Sequence, residues 1–215
     1  MFPLGSVVFP GMTLPLHVFE DRYRALVEHL LSEPNPSERL FGIVAIREGY
    51  EVGDHGAQSL YRVGCLVQAT DIAVREDGSY DLTAVARDRI RVDSMLPGTP
   101  FPQALHVSVP EPPVAVSKEL LVQARALFTA YRSVVAELAD DPYSGRLPQD
   151  PEYLSWTLAA LAPLPMAERQ NLLEASDAGE RLATVTEYLR DELRAMNVVP
   201  SLPAVHLART AWSPN

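Results

Sequence analysis

An α+β protein is predicted, β-rich in its first half and helical in its second, and three observations in the 215-residue sequence predict it. Up to about residue 110, apolar residues come in short unbroken runs or at every second position, as strands require. Beyond it they recur at the three-to-four-residue spacing of helices. Between the two periods lie Pro110, Pro112 and Pro113, residues that neither a helix interior nor a central strand accepts.

In the first half one helix is predicted, because Tyr23, Leu26, Val27, Leu30 and Leu31 fall on one helical face. Leu40-Phe41-Gly42-Ile43-Val44-Ala45-Ile46 is an apolar run of buried-strand type, and Leu60 to Val74 carries β-branched residues on both sides of Gly64. Glu76-Asp77-Gly78-Ser79 signals a hairpin, since Asp-Gly tolerates the positive backbone angles of a tight turn. The returning strand Tyr80 to Ala86 leads into Ile90-Arg91-Val92-Asp93, where apolar and charged residues alternate. A further strand, about Ala104 to Val109, ends at Pro110.

Four helices are expected in the second half. Ser117 caps a long one with Leu120, Leu121, Leu127, Phe128, Tyr131, Val135 and Leu138 on its buried side. Asp150-Pro151, a cap followed by proline at the first helical position, starts a second that Pro163 ends. Pro165 opens a shorter third through Leu172 and Leu173. Asp177-Ala178-Gly179-Glu180 has the spacing of a capping box for a last helix carrying Leu182, Val185, Leu189, Leu193 and Met196. The division expected is therefore 1–115, β-rich; 116–197, helical bundle; and 198–215, a proline-containing tail without helical period.

Composition narrows the function. A hydrophobic content of 47% supports a buried core, and the net charge of −10 opposes general attraction to nucleic acid. The single Cys65 forms no internal disulfide, no basic-then-apolar leader follows Met1, and no apolar run approaches the roughly 20 residues of a membrane span. A cytoplasmic setting without membrane attachment is expected. Among 18 basic residues only Lys118 is lysine, and no glycine-rich loop surrounds it, so a phosphate-cradling Walker loop has no place. A serine-lysine peptidase pair would also need this lysine, desolvated, whereas its setting reads as an exposed first helical turn. No ATP site and no such peptidase site are expected.

Further strings carry a family resemblance. Phe2 to Arg24, then Phe41-Gly42-Ile43-Val44, Glu51-Val52-Gly53, Tyr61-Arg62-Val63-Gly64-Cys65, Asp77-Gly78-Ser79-Tyr80 and Arg89-Ile90-Arg91-Val92 are similar, in order and spacing, to the N-terminal, substrate-binding domain of Lon proteases. Pro163-Leu164-Pro165, Gln170 to Glu174, Asp177 and Arg181-Leu182 extend the likeness through the helical half, to about residue 196. The resemblance implies a β-barrel-like, PUA-like subdomain followed by a helical bundle. It also implies a stand-alone form of that domain, without the ATPase and peptidase segments that follow it in Lon.

The resemblance points to Glu20, Asp21 and Arg22 as a peptide-binding stretch. The plainer and commoner reading is helix capping: acidic residues are favoured at a helix start, and Arg22 pairs with one of them. Leu14, Leu16, Val18 and Phe19 are expected in the core, although an exposed cluster of them would mark a binding patch. Arg87, Arg89 and Arg91 would share one face of a regular strand, solvated and paired with carboxylates. The histidines, His17, His29, His55, His106 and His206, show no metal-ligand spacing, Cys65 reads as a core residue, and Asp140-Asp141 reads as a solvated loop. No metal and no cofactor are expected.

The leading expectation is a non-catalytic module that binds exposed hydrophobic or unfolded polypeptide segments, in a groove between the two subdomains. The alternative is an adaptor or structural subunit docking onto a separate ATP-dependent protease or another fixed partner. A hydrolase with an unrecognised site, or an RNA-binding role by analogy with PUA-like folds, ranks below both.

Overall fold

The computed structural model describes residues 1–48, 59–136 and 145–198. Glu51-Val52-Gly53, His55, Leu138, Asp140-Asp141, His206 and the tail beyond Val198 lie outside the described residues. The chain forms two compact units, one of Met1–Pro110 and one beginning at Glu111.

The first unit is a mixed sheet curled into a half-barrel, with one helix. Its strands are β1 (Phe2–Leu4), β2 (Thr13–Val18), β3 (Leu40–Glu48), β4 (Ser59–Leu60), β5 (Val63–Val74), β6 (Tyr80–Leu96) and β7 (Gln103–Val109), and its helix is α1 (Asp21–Ser32). The strand order is β1-β3-β5-β6-β2, with β4 added to β3 and β7 to β6. Among the described residues only β1 and β3 run parallel; the other pairs are antiparallel. The strand returning from the hairpin, predicted to lead from Tyr80–Ala86 into Ile90–Asp93, runs on for 17 residues, long enough to pair with β2 through Tyr80–Val85 and with β7 through Arg89–Leu96. The hairpin forms as predicted: Gly78 has φ +78°, and Asp77 Oδ1 accepts from the Ser79 backbone N–H at 3.0 Å and its hydroxyl at 2.6 Å.

The three-arginine row does not survive folding. Cys65 pairs with Arg89 but Val67 pairs with Ala86, so Arg87 and Asp88 together oppose the single residue Leu66. This bulge shifts the inside-outside alternation by one. Arg89 becomes 3% exposed, while Arg87 stays at the surface donating to Gln68 Oε1, and Arg91 lies 3.7 Å from Asp93.

Phe2 is the centre of an aromatic core, 4.3 Å from the Tyr23 ring and 6.4 Å from Phe41 between centroids. Tyr23, Leu26, Val27 and Leu30 of α1 are buried with it, but Leu31 is 40% exposed. At about 100° per residue, Leu31 lies beyond the edge of the arc those four define. Cys65 is fully buried, its Sγ–H donating to Val8 O at 3.3 Å. Burial pushes its thiol up to about 12. A disulfide reagent at pH 8 is therefore expected to leave the native chain unmodified and to titrate one thiol only in denaturant; rapid native modification would mean that β5 opens.

The second unit holds four helices among the described residues: α2 (Lys118–Ala136), α3 (Pro151–Leu161), α4 (Met166–Glu174) and α5 (Ala178–Val198). Their starts are local chemistry, as predicted. Ser117 Oγ accepts from Leu120 N at 3.2 Å, and Asp150 Oδ1 accepts from Tyr153 N at 3.0 Å ahead of Pro151. Asp177 Oδ1 accepts from Glu180 N at 3.0 Å, while Glu180 reaches back to the backbone and hydroxyl of Ser176, one residue earlier than a capping box requires. On α2 the buried line is Ala124, Phe128, Tyr131 and Val135; Leu120, Leu121 and Leu127 are half-buried at its rim.

Two arginines organise this unit from inside. Arg169 points its Nη1 at the carbonyls of Ala159, Ala160 and Ala162, at the C-terminal end of α3. Arg181 is fully buried. It donates to Leu172 O at 3.0 Å, Ser155 Oγ at 2.8 Å and both Glu111 carboxylate oxygens at 3.0 and 2.9 Å, and its guanidinium lies over the Trp156 ring.

Candidate functional site

The stretch from β2 into α1 brings the sequence-predicted residues together. β2 lies on the edge of the sheet beside β6, a position that accommodates Pro15 in mid-strand because proline has no N–H to give a further neighbour. Leu14, Leu16 and Val18 alternate along it. Only Val18 is fully buried, at 1% exposure; Leu14 and Leu16 are half-buried and Phe19 is 40% exposed. The expected core role therefore holds for Val18, whereas Phe19 opens to solvent where the chain leaves the strand.

Glu20 occupies the cap position of α1, its carbonyl accepting from Tyr23 N at 2.9 Å and Arg24 N at 2.8 Å. Its side chain makes no capping bond. Instead Oε2 pairs with Arg22 Nη2 at 2.9 Å, with both side chains largely covered, and the Arg22 guanidinium lies 4.6 Å from the Tyr23 ring centroid. Asp21 faces outward, its side chain 98% exposed and 3.3 Å from Arg24 Nη1. A carboxylate in the first turn favours the helix electrostatically, as Asp21 does, and Arg22 pairs with Glu20 as the plainer reading expects, although the Glu20 side chain gives no capping hydrogen bond. Glu20 and Arg22 form a fixed pair beside Phe19; Asp21 is the member of the three presented to solvent.

One neighbouring cluster was absent from the sequence reading. His17 stands directly opposite Asp81 in the β2–β6 register, with Nδ1 and Oδ1 2.9 Å apart. Arg75 Nε donates to the other oxygen at 2.6 Å. The hydrogen bond from His17, then that from Arg75, holds the Asp81 carboxyl below the usual carboxylate range. His17 also lies 6.0 Å from the Phe19 ring, so the exposed aromatic has an ordered polar neighbour. With β2 not foreseen as a strand, nothing in the sequence paired two residues 64 apart.

Elsewhere the chemistry is sparse. Lys118, the first residue of α2, is exposed. Among the described residues no group of three histidine, cysteine or acidic side chains is placed to hold a metal ion, and no helix is long and apolar enough to cross a membrane.

Comparison with known proteins follows the same lines. The family described as the ATP-dependent protease La (LON) substrate-binding domain matches residues 1–191. Lon protease 2 of Herpetosiphon aurantiacus is 27% identical over 199 residues, which are 91% of this chain and 24% of that protein. Lon protease of Elusimicrobium minutum is 30% identical over 202 residues, 89% of this chain and 23% of the relative. The chain thus spans about a quarter of the length of these curated relatives. A crystal structure of a Lon N-terminal domain protein from Xanthomonas campestris superposes with a TM-score of 0.64 at 25% identity, covering 87% of this chain and 95% of the other. The N-terminal domain of Mycobacterium avium complex Lon protease shares the fold, with a TM-score of 0.59 at 18% identity over 88% and 97% of the two chains. With its half-barrel, its helical second unit and a match spanning residues 1–191, this chain belongs to the Lon substrate-binding domain family.

Proposed function

We propose that this chain is a non-catalytic polypeptide-recognition module that binds exposed hydrophobic or unfolded segments of other proteins at the β2–α1 surface. The observation that carries the reading is Phe19, 40% exposed and 6.0 Å from the His17 ring, within the segment matched to a substrate-binding family. Burying the 40% of this side chain that is still exposed contributes on the order of 1 kcal/mol. Glu20 and Arg22, already paired, orient the rim of the patch at little further ordering cost, and Asp21 offers a carboxylate to a basic client residue.

Fluorescein-labelled, reduced and carboxymethylated α-lactalbumin serves as the unfolded probe. Phe19→Ser is expected to weaken its binding about tenfold, a loss of roughly 1.4 kcal/mol. Asp21→Lys is expected to shift its salt dependence. Affinity no greater than that of an unrelated acidic protein of the same charge sinks the reading. A single stoichiometric partner on purification from native lysate, in place of a mixed client population, would favour the adaptor role instead.

A further inference from the structure

We propose that His17 sets the charge preference of the β2–α1 surface: a basic client residue beside the apolar anchor is favoured while the imidazole is neutral, and an acidic one gains as the ring takes up a proton. This rests on the recognition reading above and deepens it by naming what the surface reads next to Phe19 and how pH changes it. The ionised Asp81 carboxylate only accepts hydrogen bonds, so the 2.9 Å contact fixes the ring with a proton on Nδ1. The proton that comes and goes is then the one on Nε2, the nitrogen not turned to Asp81. The His17 side chain is 31% exposed, and its ring centre lies 6.0 Å from that of Phe19. A client residue adjoining one seated on Phe19 meets His17 within the Debye length of about 8 Å at physiological salt, where its charge is felt.

The charges around His17 decide the sign. Asp81 on β6 is shared, one oxygen taken by His17 and the other by Arg75 Nε at 2.6 Å. Asp77, in the turn between β5 and β6, also acts on His17 electrostatically, and Glu76 beside it is exposed. At the start of α1, Glu20 pairs with Arg22 and Asp21 with Arg24, so those charges balance. Arg24 reaches the same turn, for a Cβ on Gly78 would lie 3.1 Å from its Nη2. The carboxylates of Asp77, Asp81 and Glu76 outnumber the Arg75 cation, which leaves the surface negative beside a neutral imidazole. Protonation of His17 adds the opposing charge. Hydrogen bonds from Ser79 to Asp77 and from His17 to Asp81 keep both carboxyls below the usual carboxylate range, and arginine holds its proton throughout, so near neutral pH the group that changes is His17.

The test uses the full chain and two rhodamine-labelled peptides, identical except for glutamates or lysines on either side of a leucine-phenylalanine-leucine centre, with binding read by anisotropy. Both kinds of flanking charge persist between pH 8 and pH 6. The ratio of lysine-peptide to glutamate-peptide affinity is expected to fall about fivefold between those values and to stay constant in His17→Gln. A ratio that is flat in the unsubstituted chain, or that falls equally in His17→Gln, overturns the proposal while leaving the recognition reading intact. Absence of binding by both peptides, or binding unchanged in Phe19→Ser, removes both. A second readout needs no substitution. The His17 ring protons, identified by magnetic resonance through their contact with the Phe19 ring, are expected to titrate at higher pH with the glutamate peptide bound than with its lysine twin, because linkage is reciprocal. Identical titration with the two peptides likewise overturns the proposal.

Discussion

Replacing Glu111 with alanine is expected to destabilise the helical unit by about 3–5 kcal/mol, the cost of removing one member of a buried ion pair. Arg181 has no exposed surface, and Glu111 accepts two of its hydrogen bonds. Without the carboxylate, a guanidinium that cannot shed its proton is left in the interior without its Glu111 counter-charge. The measurement is urea unfolding followed by Trp156 fluorescence in a Trp212→Phe background, which reports on this unit separately from the sheet. The double variant Glu111→Ala, Arg181→Met is expected to recover much of the loss, because the buried charge is gone. A loss below about 1 kcal/mol in the single variant would show that the pair is solvated in solution.

Gly64→Ala is expected to cost about 3 kcal/mol, at the upper end of the overpacking range. A Cβ at that position would collide with the carbonyl oxygen of Ile43 and lie 2.8 Å from Val44 Cγ1. That backbone belongs to β3, held in register by Ile43 opposite Cys65 and Gly42 opposite Leu66. It cannot retreat without breaking the β3–β5 ladder. Gly42→Ala is the control, since its close contacts are the far end of the Met1 side chain and Ile90 Cδ1, which can swing aside. Its cost is expected near 1 kcal/mol, and equal losses in the two variants, measured by urea unfolding with far-UV circular dichroism, would refute the argument.

Legibility in the sequence followed the range of the interactions. The starts of α2, α3 and α5 were readable because each cap bonds to a residue three positions on: Ser117 to Leu120, Asp150 to Tyr153, Asp177 to Glu180. The Asp77-Gly78 turn was readable for the same reason. β1 and β2 were not foreseen. Both are short and contain proline, and they exist as strands because β3 and β6 offer them edges. The burial of Arg89 was hidden by a bulge that depends on where β5 meets β6. At the candidate site, the pairing of Arg22 with one of its acidic neighbours was read from the sequence at two residues' separation, whereas the exposure of Phe19 and the His17–Asp81 contact depended on the β2–β6 register.

By itself the sequence determined the α+β class, the helix caps, the hairpin and, through the order and spacing of its short strings, the family. Those are properties of neighbours along the chain, where propensity and hydrogen bonding act within a few residues. Only the tertiary structure decided which apolar residues face water and which arginines are interior. Each of these depends on partners distant in sequence, as Glu111 and Arg181 are at 70 residues' separation, and exposure is settled by whichever element arrives to cover a surface.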